Sequence, residues 1–185
     1  NSKKIPFDIS DRADRPLSLY GATKRANELI AYSYSNLYGL KTTGLRFFTV
    51  YGDWYRPDMA IFIFTKNILE NRNITVYNKG LIRRDFTYID DIVKGSLSAM
   101  KKNYNCEIFN LGNNKNVTLK SIIDVIEKNV GNKATIEYDQ LPEGDALETY
   151  ANIKLSKEKL DFQPKTNIEL GIPKFIEWYR SYYDI

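Results

Sequence analysis

Helical and extended patterns take turns along this chain. Over 17–38 the apolar residues Ala26, Leu29, Ile30, Tyr34 and Leu37 recur at helical spacing, and Gly39 marks a stop. "TTGLRFFTVYG" then reads as a buried strand running into a loop at 51–57. The spacing predicts a second helix over 59–70, a short strand at "ITVY", a turn at "NKG" and an extended piece at "RRDFTYI". Asp90 and Asp91 suit the N-cap and first turn of a helix reaching about Met100. "CEIFNLG" and "KATIEYD" are strands, and Thr118 caps the helix between them. Short helical pieces around 156–160 and a final helix over 169–182 close the chain. Such alternation, with no internal repeat and no long linker, predicts an α/β fold.

A chain of 185 residues can bury a proper core, or form part of a larger domain. With 43% hydrophobic and 27% charged residues it has the composition of an ordinary globular protein. No apolar run approaches the roughly 20 residues of a membrane helix, so no membrane partner is expected. The net charge of +4 is mild and its basic residues are interleaved with acids, which argues against a nucleic-acid partner. The single cysteine, Cys106, rules out an internal disulfide framework and fits a reducing, cytoplasmic setting. The chain contains no histidine, which removes histidine triads and most zinc sites, and no metal is expected. Acid–base work must fall to Tyr, Lys, Asp or Glu.

A glycine-rich strand–loop–helix turn, the usual phosphate cradle of α/β nucleotide enzymes, is missing from the sequence. "NLGNN" comes nearest, and a lone glycine after a strand is more simply a turn. The opening "NSKKIPFDISDRADRP" is polar and turn-rich, like a loop inside a protein. The expectation is that this is the rear part of a longer chain.

Tyr20 and Lys24 stand one helical turn apart and share a helix face. Spacing alone fits an amphipathic face as well as a catalytic pair. A free phenol titrates near 10 and is a poor base at neutral pH, and an ammonium one turn away favours its ionised form.

The motifs "SLYGATK", "GLRFFTVYG", "RPDM", "RDFTYIDDI" and "NLGN" follow one another in order. In this the chain resembles the extended short-chain dehydrogenase/reductase family, within it the nucleotide-sugar epimerases, and most of all the UDP-glucuronate 4-epimerases. The resemblance runs from "KKIPF" to "FIEWYRSYY". It implies the C-terminal part of a Rossmann-type parallel sheet with a small α/β substrate-binding lobe. Residues 1–58 would be the rear of the NAD-binding domain. Residues 59–185 would be mainly the UDP-sugar lobe, with about 86–112 returning to the Rossmann sheet. The glycine-rich NAD loop and a catalytic Ser or Thr would lie before Asn1, so the chain alone is expected to be inactive and to bind NAD weakly.

The resemblance also implies roles for residues. Tyr20 would be the acid–base residue, and Lys24 would favour its phenolate and hold the nicotinamide ribose. Phe47 and Phe48 would lie beside the nicotinamide, and Thr49 would face substrate. Arg56 would grip the sugar carboxylate through two parallel hydrogen bonds. Arg84 would contact the diphosphate, and adjacent Arg83 reads as a surface residue. Val76 and Tyr77 either cradle the uracil or form an edge strand with one face buried. Asp145, in a segment resembling the family's "PGD", would reach the uridine ribose. Here the segment departs from the family, with Glu143 where relatives commonly have proline and Pro142 where some have arginine. Related enzymes often dimerise through the helix bearing the tyrosine, which implies a homodimer through the Tyr20–Lys24 helix. The implied alternatives are a UDP-glucuronate decarboxylase, which uses the same Tyr and Lys, and a non-catalytic NAD-binding scaffold.

Overall fold

A computed structural model describes residues 5–11, 13–16, 18–142 and 145–185. Leu17, where the first helical pattern begins, and Glu143 lie outside the described residues. Helix α1 spans Leu19–Tyr38. Ser18 caps it by accepting from the Gly21 amide, and Gly39, at φ 64°, closes it with its N–H on the Ser35 carbonyl. The next segment is two strands rather than the single one expected, β1 (Thr42–Phe47) and β2 (Thr49–Tyr51). The chain changes partner between them. The Phe48 amide donates to the Leu111 carbonyl at 3.2 Å, and the Thr49 amide to the Asp85 carbonyl at 3.1 Å.

Helix α2 (Ala60–Leu69) leads to β3 (Asn73–Tyr77) and a 3₁₀ turn at Asn78–Gly80. "RRDFTYI" is likewise divided, into β4 (Arg83–Arg84) and β5 (Phe86–Tyr88), with Asp85 between them. Helix α3 (Ile89–Lys102) precedes β6 (Cys106–Leu111). A two-residue strand β7 (Val117–Thr118), unforeseen from sequence, enters α4 (Leu119–Val130), which Thr118 caps by accepting from the Ser121 amide. Then come β8 (Thr135–Asp139), β9 (Glu148–Thr149), α5 (Lys154–Leu160) and α6 (Ile168–Tyr183).

Pairing is mostly parallel. β1 runs parallel to β6, β2 to β5 and β3 to β8, while β4 lies between antiparallel β7 and parallel β9. This is the α/β architecture with parallel strands that the alternating pattern predicts. The apolar residues form two cores. The larger joins Ile61, Phe62, Ile68, Ile74, Val76, Ile122, Ile126, Phe175 and Ile176 from α2, β3, α4 and α6. The smaller joins Phe109 and Leu111 of β6, Ile92 and Ala99 of α3, and Ala151, Ile153, Leu160 and Phe162. The segment over 151–162 therefore packs with the 86–112 segment, although the sequence reading grouped it with the substrate lobe.

One expectation about capping needs correction. Asp90 and Asp91 lie in the first turn of α3, but the N-cap is Tyr88, without a side-chain cap bond. The Asp91 carboxylate is buried and accepts instead from the Lys165 and Thr166 amides at 3.0 and 2.9 Å. It ties the start of α3 to the approach to α6, because those distant amides need an acceptor once buried.

Candidate active site

Parallel register aligns the carboxyl ends of β1 and β6, since Phe47 pairs with Leu111. Helix α1 runs against that direction. Its rear is tied near the start of β6, where Ser35 Oγ donates to the Asn105 carbonyl at 2.8 Å. Its N-terminal end, carrying Tyr20, therefore lies toward the strands' carboxyl ends, where α/β sheets place their ligands. Midway, Glu28 accepts two hydrogen bonds from Arg46 of β1, Nε at 2.7 Å and Nη2 at 2.9 Å, and one from Arg25 at 2.6 Å. The Arg46 hydrogen bonds hold the Glu28 carboxyl below its ordinary value of 4.5, against the opposing effect of burial.

That clamp matters because α1 has no buried residue. Leu29, Ile30 and Leu37, whose helical spacing suits packing on the core or a partner, are each about half exposed or more and lie outside both cores. The docking of α1 thus leans on a polar contact. Because the Glu28 pKa is depressed in the folded chain, its stabilising effect is present above about 4.5 and is lost as pH falls through the folded value. Amide exchange across α1 is expected to accelerate in acid before exchange in α4, and Glu28→Gln should remove that pH dependence. Parallel acid responses in α1 and α4 would refute the clamp.

Tyr20 and Lys24 project from the first turns of α1, with Lys24 Nζ 5.2 Å from the Tyr20 ring centroid. Tyr20 is 72% exposed, so its hydroxyl is open to a ligand. Phe47, at the end of β1, is also exposed, whereas Phe48 packs against the smaller core and lies 6.3 Å from the Phe7 ring. Thr49 begins β2, opposite Phe86.

The loop after β2 carries Arg56. The Asp58 carboxylate holds the Arg56 guanidinium above its ordinary range, first by hydrogen bonding and then by charge, and Tyr20 adds to this. Arg56 donates to Asp58 through Nε at 3.1 Å and Nη2 at 2.5 Å.

A second group gathers on β4. Arg84, with little of its side chain exposed, donates to Asp145 at 2.9 Å through Nη2 and to the Arg83 carbonyl at 3.1 Å through Nη1. The residues that the resemblance assigns to the diphosphate and to the uridine ribose are therefore in contact, although 61 positions separate them. Arg83 is exposed, as the surface reading has it, and also joins strands. It donates to Asn116 from Nε and Nη2, at 3.0 and 2.8 Å, and Asn116 in turn donates to Glu148, which knits β7, β4 and β9 together. Val76 is buried in the larger core, within β3 opposite Tyr138 of β8. Tyr77, partly buried, stands just before the 3₁₀ turn.

Asp85 was not singled out from sequence. Its carboxylate, fully buried, accepts from the Asn113, Asn114 and Ala151 amides at 2.6, 3.1 and 3.0 Å and from the Thr87 hydroxyl at 3.2 Å. Gly112 makes room for it, since a Cβ there would lie 2.8 Å from the Asp85 carboxylate. The only sequence signal was its place directly after Arg84. Its three amide partners are 28 to 66 residues away, beyond any local pattern.

Among the described residues no helix is long and apolar enough to cross a membrane. Residues 2–112 match the NAD dependent epimerase/dehydratase family. The chain is 52% identical over 178 residues to an uncharacterized protein of Methanocaldococcus jannaschii, covering 96% of this chain and 55% of that protein. It is 46% identical to UDP-glucuronate 4-epimerase 1 of Arabidopsis thaliana, over 98% of this chain and 46% of that enzyme. The chain spans about half the length of these relatives. Its structure is similar to that of UDP-glucuronic acid 4-epimerase from Bacillus cereus in complex with UDP-glucuronic acid and NAD. The TM-score is 0.92 at 30% identity, over 99% of this chain and 59% of that one. The Tyr–Lys helix lies toward the carboxyl ends of parallel strands, and with the family match across 2–112 the chain belongs to the NAD dependent epimerase/dehydratase family.

Proposed function

We propose that this chain supplies the acid–base helix and the UDP-sugar side of an NAD-dependent 4-epimerase whose substrate is UDP-glucuronate. The observation that carries the reading is the Tyr20–Lys24 pair at the end of α1 that lies toward the carboxyl ends of the parallel strands, with Arg56 in the loop that follows β2. A carboxylate anchor beside an acid–base phenol suits a sugar that bears a carboxylate next to the reacting carbon. The relatives and solved neighbours named UDP-glucuronate 4-epimerases support the same substrate.

The residues fit a nicotinamide at the Tyr20 end of α1. The Tyr20 hydroxyl and Lys24 ammonium are open there, and the exposed Phe47 ring offers an apolar face nearby in the strand-end layer. NAD, when bound there, would supply the hydride acceptor for sugar C4 and the donor that restores it. Tyr20 takes the proton of the C4 hydroxyl as the carbonyl forms and gives it back as the hydroxyl reforms. Lys24, positive and beside the ring, favours the phenolate form in which Tyr20 can take that proton. Arg56 holds the C6 carboxylate. With C4 oxidised the sugar is a β-keto acid, and keeping the C5–C6 bond in the carbonyl plane denies it the overlap that loss of CO₂ requires. Arg84, held by Asp145 and the Arg83 carbonyl, presents its remaining donors to the diphosphate.

Residues 1–58 then belong to the NAD-binding domain and 59–185 mainly to the substrate lobe, with 86–112 and 151–162 packing on the NAD side. The exposed apolar stripe of α1 suits packing on the rest of such an enzyme or on a second copy.

The test is product analysis with UDP-glucuronate on the NAD-loaded holoenzyme containing this chain. UDP-galacturonate is the expected product, and CO₂ with a UDP-pentose would establish the decarboxylase instead. Arg56→Ala should weaken UDP-glucuronate by about tenfold or more, the scale of a charge-assisted hydrogen-bond pair, and leave UDP-glucose unchanged. Equal losses for both sugars would remove the carboxylate role from Arg56.

A further inference from the structure

We propose that Asp58 is a positioning residue for Arg56, fixing the guanidinium so that only its end-on edge meets a uronate carboxylate. The inference rests on the uronate reading above and adds a determinant of selectivity to it.

The backbone around Arg56 is held on both sides. Upstream, Tyr55 packs edge-on against Phe175, with ring centroids 6.1 Å apart, and Trp54 lies 5.5 Å from Trp178 and 5.1 Å from Tyr182 on α6. Downstream, the Met59 amide donates to the Arg56 carbonyl at 3.2 Å, and Met59 is the N-cap of α2. With the main chain set by two helices, the orientation of the arginine side chain is the freedom that remains. Arginine side chains carry much rotamer freedom, and ordering it before a ligand arrives lowers the cost of binding.

Asp58 removes that freedom in a particular way. Nε and Nη2 form the side edge of the guanidinium, and both donate to Asp58, one to each carboxylate oxygen. The end-on edge, Nη1 and the second hydrogen of Nη2, is left for another planar anion. Asp58 therefore does not block the site, and its carboxylate leaves room for a second one on the same arginine. The pair reinforces itself, because Arg56 holds the Asp58 carboxyl below the usual range. Both side chains are more than half exposed, so the pair adds little to the stability of the fold. Its effect belongs to the ligand. A neutral hexose, with no carboxylate to align, gains nothing from it.

The experiment compares dissociation constants of UDP-glucuronate and UDP-glucose, and the share of turnover lost as CO₂, for Asp58→Ala and Asp58→Asn in the NAD-loaded holoenzyme. Asp58→Ala should weaken UDP-glucuronate about fivefold to tenfold, the range for freeing one rotamer-rich side chain, and raise CO₂ release. UDP-glucose affinity should stay unchanged. Asp58→Asn keeps one acceptor oxygen and should fall between parent and Asp58→Ala. Tighter or unchanged UDP-glucuronate binding in Asp58→Ala would overturn the proposal, because Asp58 would then be a competitor or a bystander. Equal weakening of both sugars would also overturn it, as a general loop effect. Arg56→Ala separates the two levels. If it abolishes the preference for uronate and Asp58→Ala leaves that preference intact, only the Asp58 role fails. If Arg56→Ala leaves the preference intact, the uronate reading fails and the Asp58 role fails with it.

Discussion

Tyr20→Phe is expected to lower epimerase turnover about 10²- to 10⁴-fold, the usual range for loss of a positioned general acid–base group. The substitution removes one oxygen from a side chain that is 72% exposed and contributes to neither core. The ring against which Lys24 rests is retained. The fold, the melting temperature and the affinity for UDP-glucuronate should all survive it. Such a profile, chemistry lost and binding kept, separates a catalytic phenol from an aromatic that merely shares a helix face with a lysine. The assay is single-turnover hydride transfer, read by the absorbance of reduced nicotinamide, on the NAD-loaded holoenzyme with UDP-glucuronate. Turnover within a few-fold of the parent would show that the proton leaves C4 by another route, and the catalytic reading of the pair would be lost.

Asp85→Ala is expected to have the largest effect on stability. The buried carboxylate satisfies three backbone amides and one hydroxyl drawn from β5, the loop after β6 and the segment after β9. Alanine would leave those amides buried without an acceptor, at roughly 1–3 kcal/mol for each group. The expected loss is about 3–5 kcal/mol, the scale for breaking a buried charged network. For a chain of this length that corresponds to a fall of about 10 °C in Tm. Burial pushes the Asp85 carboxyl above its ordinary range despite its hydrogen bonds. Its ionisation therefore adds no stability that acid would remove, and the loss in Asp85→Ala arises from the orphaned amides. Because Asp85 directly follows Arg84, weaker UDP-sugar binding should accompany the loosened fold. Urea unfolding with an unchanged midpoint would show that water replaces the carboxylate without cost.

Much of the architecture was legible in the sequence because it depends on local rules. Helical spacing located α1, α2, α4 and α6, and Thr118 and Gly39 cap as their residue types favour. The order of the Tyr20–Lys24, Arg56 and Arg84 motifs pointed to the family, which the match across 2–112 bears out. Non-local partners were not legible. "TTGLRFFTVYG" carries no sign that β1 pairs with β6 while β2 pairs with β5, because that exchange is made by the Leu111 and Asp85 carbonyls. Asp90 and Asp91 look alike in sequence, yet only Asp91 is buried on amides of the segment before α6.

The sequence by itself determined the α/β class, the residue types able to move a proton and the helix on which two of them share a face. Spacing along one helix needs no other part of the chain. Only the tertiary structure decided that α1 is held by Glu28 and Arg46 instead of by an apolar stripe. It also decided that Arg84 meets Asp145, and that the side edge of Arg56 is taken by Asp58. Most of these contacts join segments far apart in the chain, where charge and hydrogen bonding act through space. For Arg56 and Asp58, only two positions apart, the backbone turn sets which edge of the guanidinium is engaged.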